Sequence, residues 1–110
     1  MSSAITASPL ERVLADIAAE RHRQDERWGE QNHPDGTDSK RHAVVDAIRQ
    51  RVEENAQNGT LTWHDILCEE IGEASAETAV GPLRAELVQV AAVAAAWIEA
   101  IDRRTAKEDI

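Results

Sequence analysis

Apolar residues recur every three or four positions along most of this chain, which is the spacing of an amphipathic α-helix. The first such stretch follows Ser8-Pro9-Leu10-Glu11, where a serine precedes a proline and a glutamate comes three residues later. This arrangement is typical of a helix start. The helix is predicted to run to about Arg27, before Trp28-Gly29. Its apolar stripe consists of Leu10, Val13, Leu14, Ile17 and Ala18.

A polar segment from Glu30 to Thr37 follows, with the sequence Glu-Gln-Asn-His-Pro-Asp-Gly-Thr. Its asparagine, proline, aspartate and glycine disfavour regular structure, so it is predicted to be a loop. A second, more polar helix is expected from near Asp38 to the stop signal at Asn58-Gly59. Val45, Ile48 and Val52 are its apolar positions.

Two more helices are predicted in the second half of the chain. Thr62-Trp63-His64-Asp65 has the capping-box pattern and opens the third helix. Gly81-Pro82 ends that region and opens the last helix. The last helix is expected to bury Leu83, Leu87, Val90, Val93, Ala94, Trp97 and Ile101. Strand-like alternation does not occur, and the pattern predicts an all-α fold of about four helices. Residues 1–110 are expected to form a single domain, with flexible ends at 1–7 and 105–110.

The amino-acid composition indicates that the hydrophobic core of this helical fold is small. The 110 residues include three tryptophans but no phenylalanine or tyrosine, so alanine, valine, leucine and isoleucine must build the interior. Small cores of this kind gain stability when copies associate. We therefore expect a helical bundle completed by oligomerisation, as a homodimer or tetramer.

Charge and cysteine content narrow the class of partner. The net charge of −9 disfavours binding to a nucleic-acid polymer, whose backbone is also negative. The single cysteine, Cys68, excludes an internal disulfide and fits a reducing compartment. The longest apolar run, Val90 to Ile98, is far shorter than the ~20 residues that span a bilayer. These features predict a soluble cytoplasmic protein without a membrane partner.

The candidate chemistry lies in carboxylates beside apolar residues. Glu69-Glu70-Ile71-Gly72-Glu73 places Glu70 and Glu73 within about 60° of each other on a helix. Glu86 shares its sector of the last helix with Val90, Val93 and Trp97 and is expected to point inward. If the two helices pack antiparallel, the carboxylates converge into a hard-oxygen site that suits Mg²⁺ or Mn²⁺. The alternative is a set of ordinary solvated glutamates on helix surfaces.

These residues carry a resemblance to a known family. The chain resembles the all-α nucleoside triphosphate pyrophosphohydrolases, the MazG-like superfamily that includes dimeric dUTPases and dCTP pyrophosphatases. The family signature is EExxE, a variable gap and then ExxD. Glu69 to Glu73 match its first half, and Glu86-Leu87-Val88-Gln89 matches the second half in spacing, with Gln89 in place of aspartate. The resemblance covers roughly residues 60 to 102, and the first helix and the Trp28–His33 loop look more loosely like the nucleotide-side segment.

The resemblance implies an activity and a site. Such enzymes hydrolyse a nucleoside triphosphate between the α and β phosphates, giving a monophosphate and pyrophosphate. By position, four residues look like ligands of Mg²⁺, with Mn²⁺ as the alternative ion: Glu70, Glu73, Glu86 and Gln89. Glu69 looks like the catalytic carboxylate that orients or deprotonates the attacking water.

Other residues are candidates for contacts with the nucleotide. Trp28 and His33 flank a loop that could stack on or hydrogen-bond a base, and Asn32 could contact a base edge. Packing for Trp28 and simple exposure for His33 are equally compatible with the sequence. Lys40 and Arg84 are candidate phosphate-binding cations, with solvated surface charges as the alternative.

Two other functions remain open from the sequence. The uncharged Gln89 favours a catalytically weak nucleotide-binding or regulatory helical module that retains the fold. A helical oligomerisation adaptor is the third alternative, for which glutamate-to-glutamine changes would stabilise the fold irrespective of metal.

Overall fold

The computed structural model describes residues 6–108, and within them the chain forms four α-helices, one short 3₁₀ helix and no strand. The α-helices are α1 (Pro9–Trp28), α2 (His42–Gln57), α3 (Trp63–Ala76) and α4 (Val80–Glu108), and the 3₁₀ helix spans Ser39–Arg41. The expected all-α fold of about four helices is confirmed. In the described part of the chain, no helix has both the length and the apolar character needed to cross a bilayer.

The helix starts that were predicted from capping residues are formed by side-chain hydrogen bonds. Ser8 Oγ accepts a hydrogen bond from the backbone N–H of Glu11 at 3.1 Å. At the start of α3, Thr62 Oγ1 accepts from the backbone of Asp65, and the Asp65 carboxylate accepts from the backbone of Thr62, each at 3.1 Å. These bonds satisfy N–H groups that have no partner inside the helix. The pair of bonds between Thr62 and Asp65 fixes where α3, the helix that carries the EExxE glutamates, begins.

The C-terminal end of α4 differs from the prediction. Residues 105–108, expected to be part of a flexible C-terminus, continue the helix. Thr105 Oγ1 donates to the carbonyl of Ile101 at 2.8 Å, and no glycine or proline interrupts this stretch. Residues 109–110, and residues 1–5 of the expected flexible N-terminus, lie outside the described residues.

The chain divides into two compact units. One comprises Met1–Pro34 together with Ala95–Ile110, and the other comprises Asp35–Ala94. The second unit contains α2, α3 and the first part of α4, and it holds all of the EExxE segment and Glu86. Its buried apolar residues are Val45, Ala74, Ala76 and Leu83.

Within the second unit, α2 packs closely on α3 at Gly72. A Cβ added at Gly72 would lie 3.4 Å from Ile48 Cδ1 and 3.5 Å from Val45 Cγ2. Val45 and Ile48, two residues of the apolar stripe of α2, therefore rest directly on α3. This contact brings the neighbouring side chains of α2 near the glutamates of α3.

The loop before α2 is fastened to the C-terminal end of α3. The backbone N–H of Asp38 donates to the carbonyl of Ser75 at 3.0 Å. Arg41 Nη1 donates to the carbonyl of Gly36 at 2.9 Å and, more loosely, to that of Ser75 at 3.4 Å. A cation beside the last carbonyls of a helix is favourably placed with respect to the helix dipole.

Burial in a single chain is less extensive than the sequence pattern suggested. In α1, Val13 is buried, but Leu10, Leu14 and Ile17 are exposed. In α4, Leu83 is buried, whereas Leu87, expected in the core, is 52 % exposed. The helical stripes exist, but a single copy does not cover them.

Candidate metal centre

The glutamates of α3 and α4 converge. Glu70, Glu73 and Glu86 each offer a carboxylate oxygen, and these three oxygens lie within 4.8 Å of one another. The i, i+3 spacing puts Glu70 and Glu73 on one side of α3, and Glu86 faces them from α4. We refer to these three residues as the carboxylate cluster. All three are part-buried.

Glu86 differs from the other members of the carboxylate cluster in having a buried oxygen without a hydrogen-bond partner. Its Oε2 atom is inaccessible to solvent and has no hydrogen-bond partner. Burial raises the pKa of the Glu86 carboxyl, and the neighbouring charge of Glu73 raises it further. A buried carboxylate oxygen without a partner is costly, and either a proton on Glu86, shared with Glu73, or a nearby cation would lower that cost.

The same physical causes act on the two preceding glutamates. Burial raises the pKa of Glu69 and of Glu70, and the charge of Glu73 adds to the shift at both. Arg49 acts in the opposite direction on each, because its positive charge favours the ionised carboxylate. Glu69 lies outside the three converging oxygens but within the electrostatic reach of Glu73.

Arg49, on α2, is the residue that sequence reasoning missed. Its Nε donates to Glu73 Oε1 at 3.0 Å, and its Nη1 donates to Asp46 Oδ1 at 3.3 Å. Among the ion pairs of the described residues, this is the one that reaches the carboxylate cluster. Glu73 lies 24 positions further along the chain, so no local spacing signals the pair. The sequence feature that could have indicated Arg49 is its position one residue after Ile48, an apolar residue that packs on α3.

The donor set fits a hard divalent cation. Oxygen ligands bind Mg²⁺ in octahedral geometry at 2.0–2.1 Å, so neighbouring ligand oxygens are about 3 Å apart and opposite ones about 4.2 Å apart. The oxygens of the carboxylate cluster lie within 4.8 Å of one another and would have to move closer together to bind one ion. Three carboxylates from two helices, with one oxygen lacking any partner, therefore suit Mg²⁺ or Mn²⁺ chemically.

The remaining predicted site residues of this unit lie outside that set. Gln89 is exposed on α4, three residues after Glu86. Lys40 and Arg84 are exposed, and neither forms an ion pair within the described part of the chain. The cation next to the carboxylates is Arg49 and not either of these two.

The predicted base-contacting residues lie in the other compact unit, where they make local contacts. The guanidinium of Arg27 stacks over the ring of Trp28, 4.7 Å from its centroid. Asn32 Nδ2 donates to Glu30 at 3.3 Å, and His33 Nε2 lies 3.0 Å from Gln31 Oε1. All three predicted residues are exposed.

A groove of about 280 Å³ lies along α3 and α4 in the second unit. Its apolar lining includes Ile71, Leu83 and Leu87, and Arg41 contributes to its polar part. Ile71 and Leu87 each follow a glutamate of the carboxylate cluster by one residue. An uncovered apolar surface therefore borders the acidic site.

Comparisons of the chain with protein-family models, with curated proteins and with solved structures found no match.

We expect Glu86→Gln to stabilise the protein in the absence of divalent metal. An amide nitrogen can donate to Glu73 and removes a poorly solvated charge, so the free energy of unfolding should rise by about 1 kcal/mol at pH 7. Urea unfolding in EDTA measures this change. Glu54→Gln, at an exposed position of α2, is the matched control and should change little. A Glu86→Gln protein no more stable than this control would contradict the account of the site.

The pH dependence should have a definite sign. The pKa values of Glu69, Glu70 and Glu86 are raised in the folded protein, so their contribution to stability is present below the ordinary glutamate pKa of about 4.3 and is lost as pH rises through the folded values. Hydrogen bonds from Thr62 lower the pKa of Asp65, whose contribution is instead lost at lower pH, below about 4. The fall in stability of the metal-free protein above pH 4.5 should be smaller in Glu86→Gln.

Proposed function

We propose that this protein is a metal-dependent nucleoside triphosphate pyrophosphohydrolase of the MazG-like type. The observation that carries the proposal is the convergence of Glu70, Glu73 and Glu86, of which Glu86 has a buried oxygen without a hydrogen-bond partner. A charged group in this situation is stabilised far more by a divalent ion than by water. The EExxE-and-Glu86 pattern of the sequence supports the pyrophosphohydrolase class.

The roles of the chain's own residues follow from their placement. Glu70, Glu73 and Glu86 would hold Mg²⁺ or Mn²⁺, with Gln89 as a further oxygen ligand if its side chain turns toward them. The ion would supply charge neutralisation at the phosphate oxygens and make a bound water more acidic. The protein's part would be to hold these carboxylates close together from two helices before the ion binds.

Glu69 is the proposed proton acceptor. The attacking water would form a bond to the α phosphorus as the bond to the pyrophosphate oxygen breaks, and its proton would pass to the Glu69 carboxylate. Burial raises the pKa of Glu69, which makes its carboxylate a better base near neutral pH.

We propose a cytoplasmic location for this enzyme. A nucleotide substrate and a single cysteine, which cannot form an internal disulfide, both fit that compartment.

A second candidate function rests on Gln89. An amide contributes no negative charge, and this residue is exposed on α4, which favours a nucleotide-binding or regulatory module with weak turnover. Binding of a non-hydrolysable nucleotide without turnover would support this candidate. A strong gain of activity in Gln89→Asp would support it further, whereas a loss would identify glutamine as the working ligand.

We expect the wild-type protein to release pyrophosphate from at least one member of a panel of NTPs and dNTPs with Mg²⁺ or Mn²⁺. Glu69→Gln should lower kcat about a hundredfold or more, because general base catalysis is lost, while Mn²⁺ affinity is retained. Glu54→Gln serves as the surface control. Absence of turnover with every nucleotide, in a folded wild-type protein, would refute the proposal.

The proposed enzyme acts as a homodimer or tetramer. Support comes from the apolar groove along α3 and α4 and from its bordering side chains, Ile71 at 49 % and Leu87 at 52 % exposure. Uncovered apolar surface of this kind is typical of an interface between copies.

Light scattering at micromolar concentration should give a mass of at least twice 12.1 kDa. Leu87→Gln should shift the protein toward the monomer, because it places a polar group in the contact, whereas Ala92→Gln, at an exposed position of the same helix, should not. A monomeric wild-type protein would contradict the assembly.

A further inference from the structure

We infer that Arg49 is the phosphate-binding cation of the site and that it exchanges Asp46 for a phosphate oxygen while its Nε remains on Glu73. This inference rests on the proposed function, since the phosphate is that of a metal-bound nucleotide. Arg49 lies on α2, outside every part of the sequence that resembles the pyrophosphohydrolase signature. Arg49 is placed beside Glu73 by the packing of α2 on α3.

The guanidinium of Arg49 is placed so that it can contact Glu73 and a second anion together. Its Nε donates to Glu73 Oε1 at 3.0 Å, so the rest of this planar group lies within a few ångströms of the same oxygen. A phosphate oxygen on an ion held by Glu73 would be a close neighbour. Because the guanidinium has five N–H donors in a fixed fork, it can keep one carboxylate and bind a second anion at the same time.

The terminal nitrogens of the guanidinium are weakly engaged. Nη1 contacts Asp46 at 3.3 Å, and the Asp46 side chain is 73 % exposed. Exposed ion pairs of this kind contribute little stability, so Asp46 can be displaced at small cost. The Arg49 side chain is itself 49 % exposed, which leaves an anionic ligand direct access to it.

The electrostatics of the site also favour this role. Glu69 and the carboxylate cluster together carry four formal negative charges, which outweigh one divalent ion. A triphosphate approaching such a site needs further positive charge beside the ion. Arg49 is the cation that pairs with the cluster among the described residues, whereas Lys40 and Arg84 form no ion pair there. Arg49 therefore supplies the charge that those two were expected to provide.

Calorimetry with two separate probes tests this role. Mn²⁺ alone reports on the carboxylates, and methylenediphosphonate in saturating Mg²⁺ reports on phosphate binding. Arg49→Gln should bind Mn²⁺ as tightly as the wild type, or more tightly because a repelling charge is gone. It should bind methylenediphosphonate roughly ten- to a hundredfold more weakly, since charge-assisted hydrogen bonds are lost.

Matched variants separate this role from general charge effects. Arg51→Gln removes an exposed arginine of the same helix that forms no ion pair in the described part of the chain, and its diphosphonate affinity should stay within about twofold of wild type. Asp46→Asn should keep or tighten diphosphonate binding, because it removes the negative charge that competes for Nη1. Circular dichroism confirms that each variant is folded.

Two outcomes would overturn the inference alone. If Arg49→Gln weakens Mn²⁺ binding as much as diphosphonate binding, Arg49 only holds Glu73 in place. If diphosphonate binding is unchanged in Arg49→Gln, the pair with Glu73 is a surface contact without a ligand role. A wild-type protein that binds no Mn²⁺ would instead refute the proposed function, and this inference with it.

Discussion

The repulsion among part-buried carboxylates is the constraint on which the proposed activity depends. Glu70 and Glu73 on α3 face Glu86 on α4, and one oxygen of Glu86 has neither solvent nor a hydrogen-bond partner. Solvated glutamates on a helix surface would not be held in this way. Three carboxylate oxygens from α3 and α4 lie within 4.8 Å of one another, and Arg49 offsets only part of their repulsion. The proposed divalent cation would relieve this repulsion, which lowers the stability of the metal-free protein.

The close approach of α2 to α3 determines what surrounds the carboxylates. Gly72 leaves room for Val45 and Ile48, and this contact places Arg49, one residue after Ile48, beside Glu73. Ile71, the residue before Gly72, lines an uncovered apolar groove. α3 thus carries both the glutamates of the carboxylate cluster and part of an apolar surface. The proposed cation site and the proposed surface for a second copy therefore border each other, because Ile71 follows Glu70 and Leu87 follows Glu86.

Much of the fold could be predicted because its signals are local. The hydrogen bonds at Ser8 and at Thr62 and Asp65 join residues three positions apart, so the sequence shows both partners together. The convergence of Glu70, Glu73 and Glu86 followed from helical spacing and a short connection. Arg49 could not be found in this way, since its partner is distant in sequence. The exposure of Leu87 could not be predicted either, because the sequence pattern of an apolar stripe is the same whether the stripe packs within one chain or between two copies.

Metal binding itself is the most direct test of the central claim, which is that the carboxylates form a divalent-cation site. Calorimetric titration of Mn²⁺ into the wild-type protein and into the Glu86→Gln and Glu54→Gln variants, near neutral pH, provides it. We expect saturable binding to the wild type and to Glu54→Gln, and binding at least about tenfold weaker in Glu86→Gln. Absence of saturable binding, or equal affinity in all three proteins, would contradict it and favour a helical adaptor whose glutamates hold no ion.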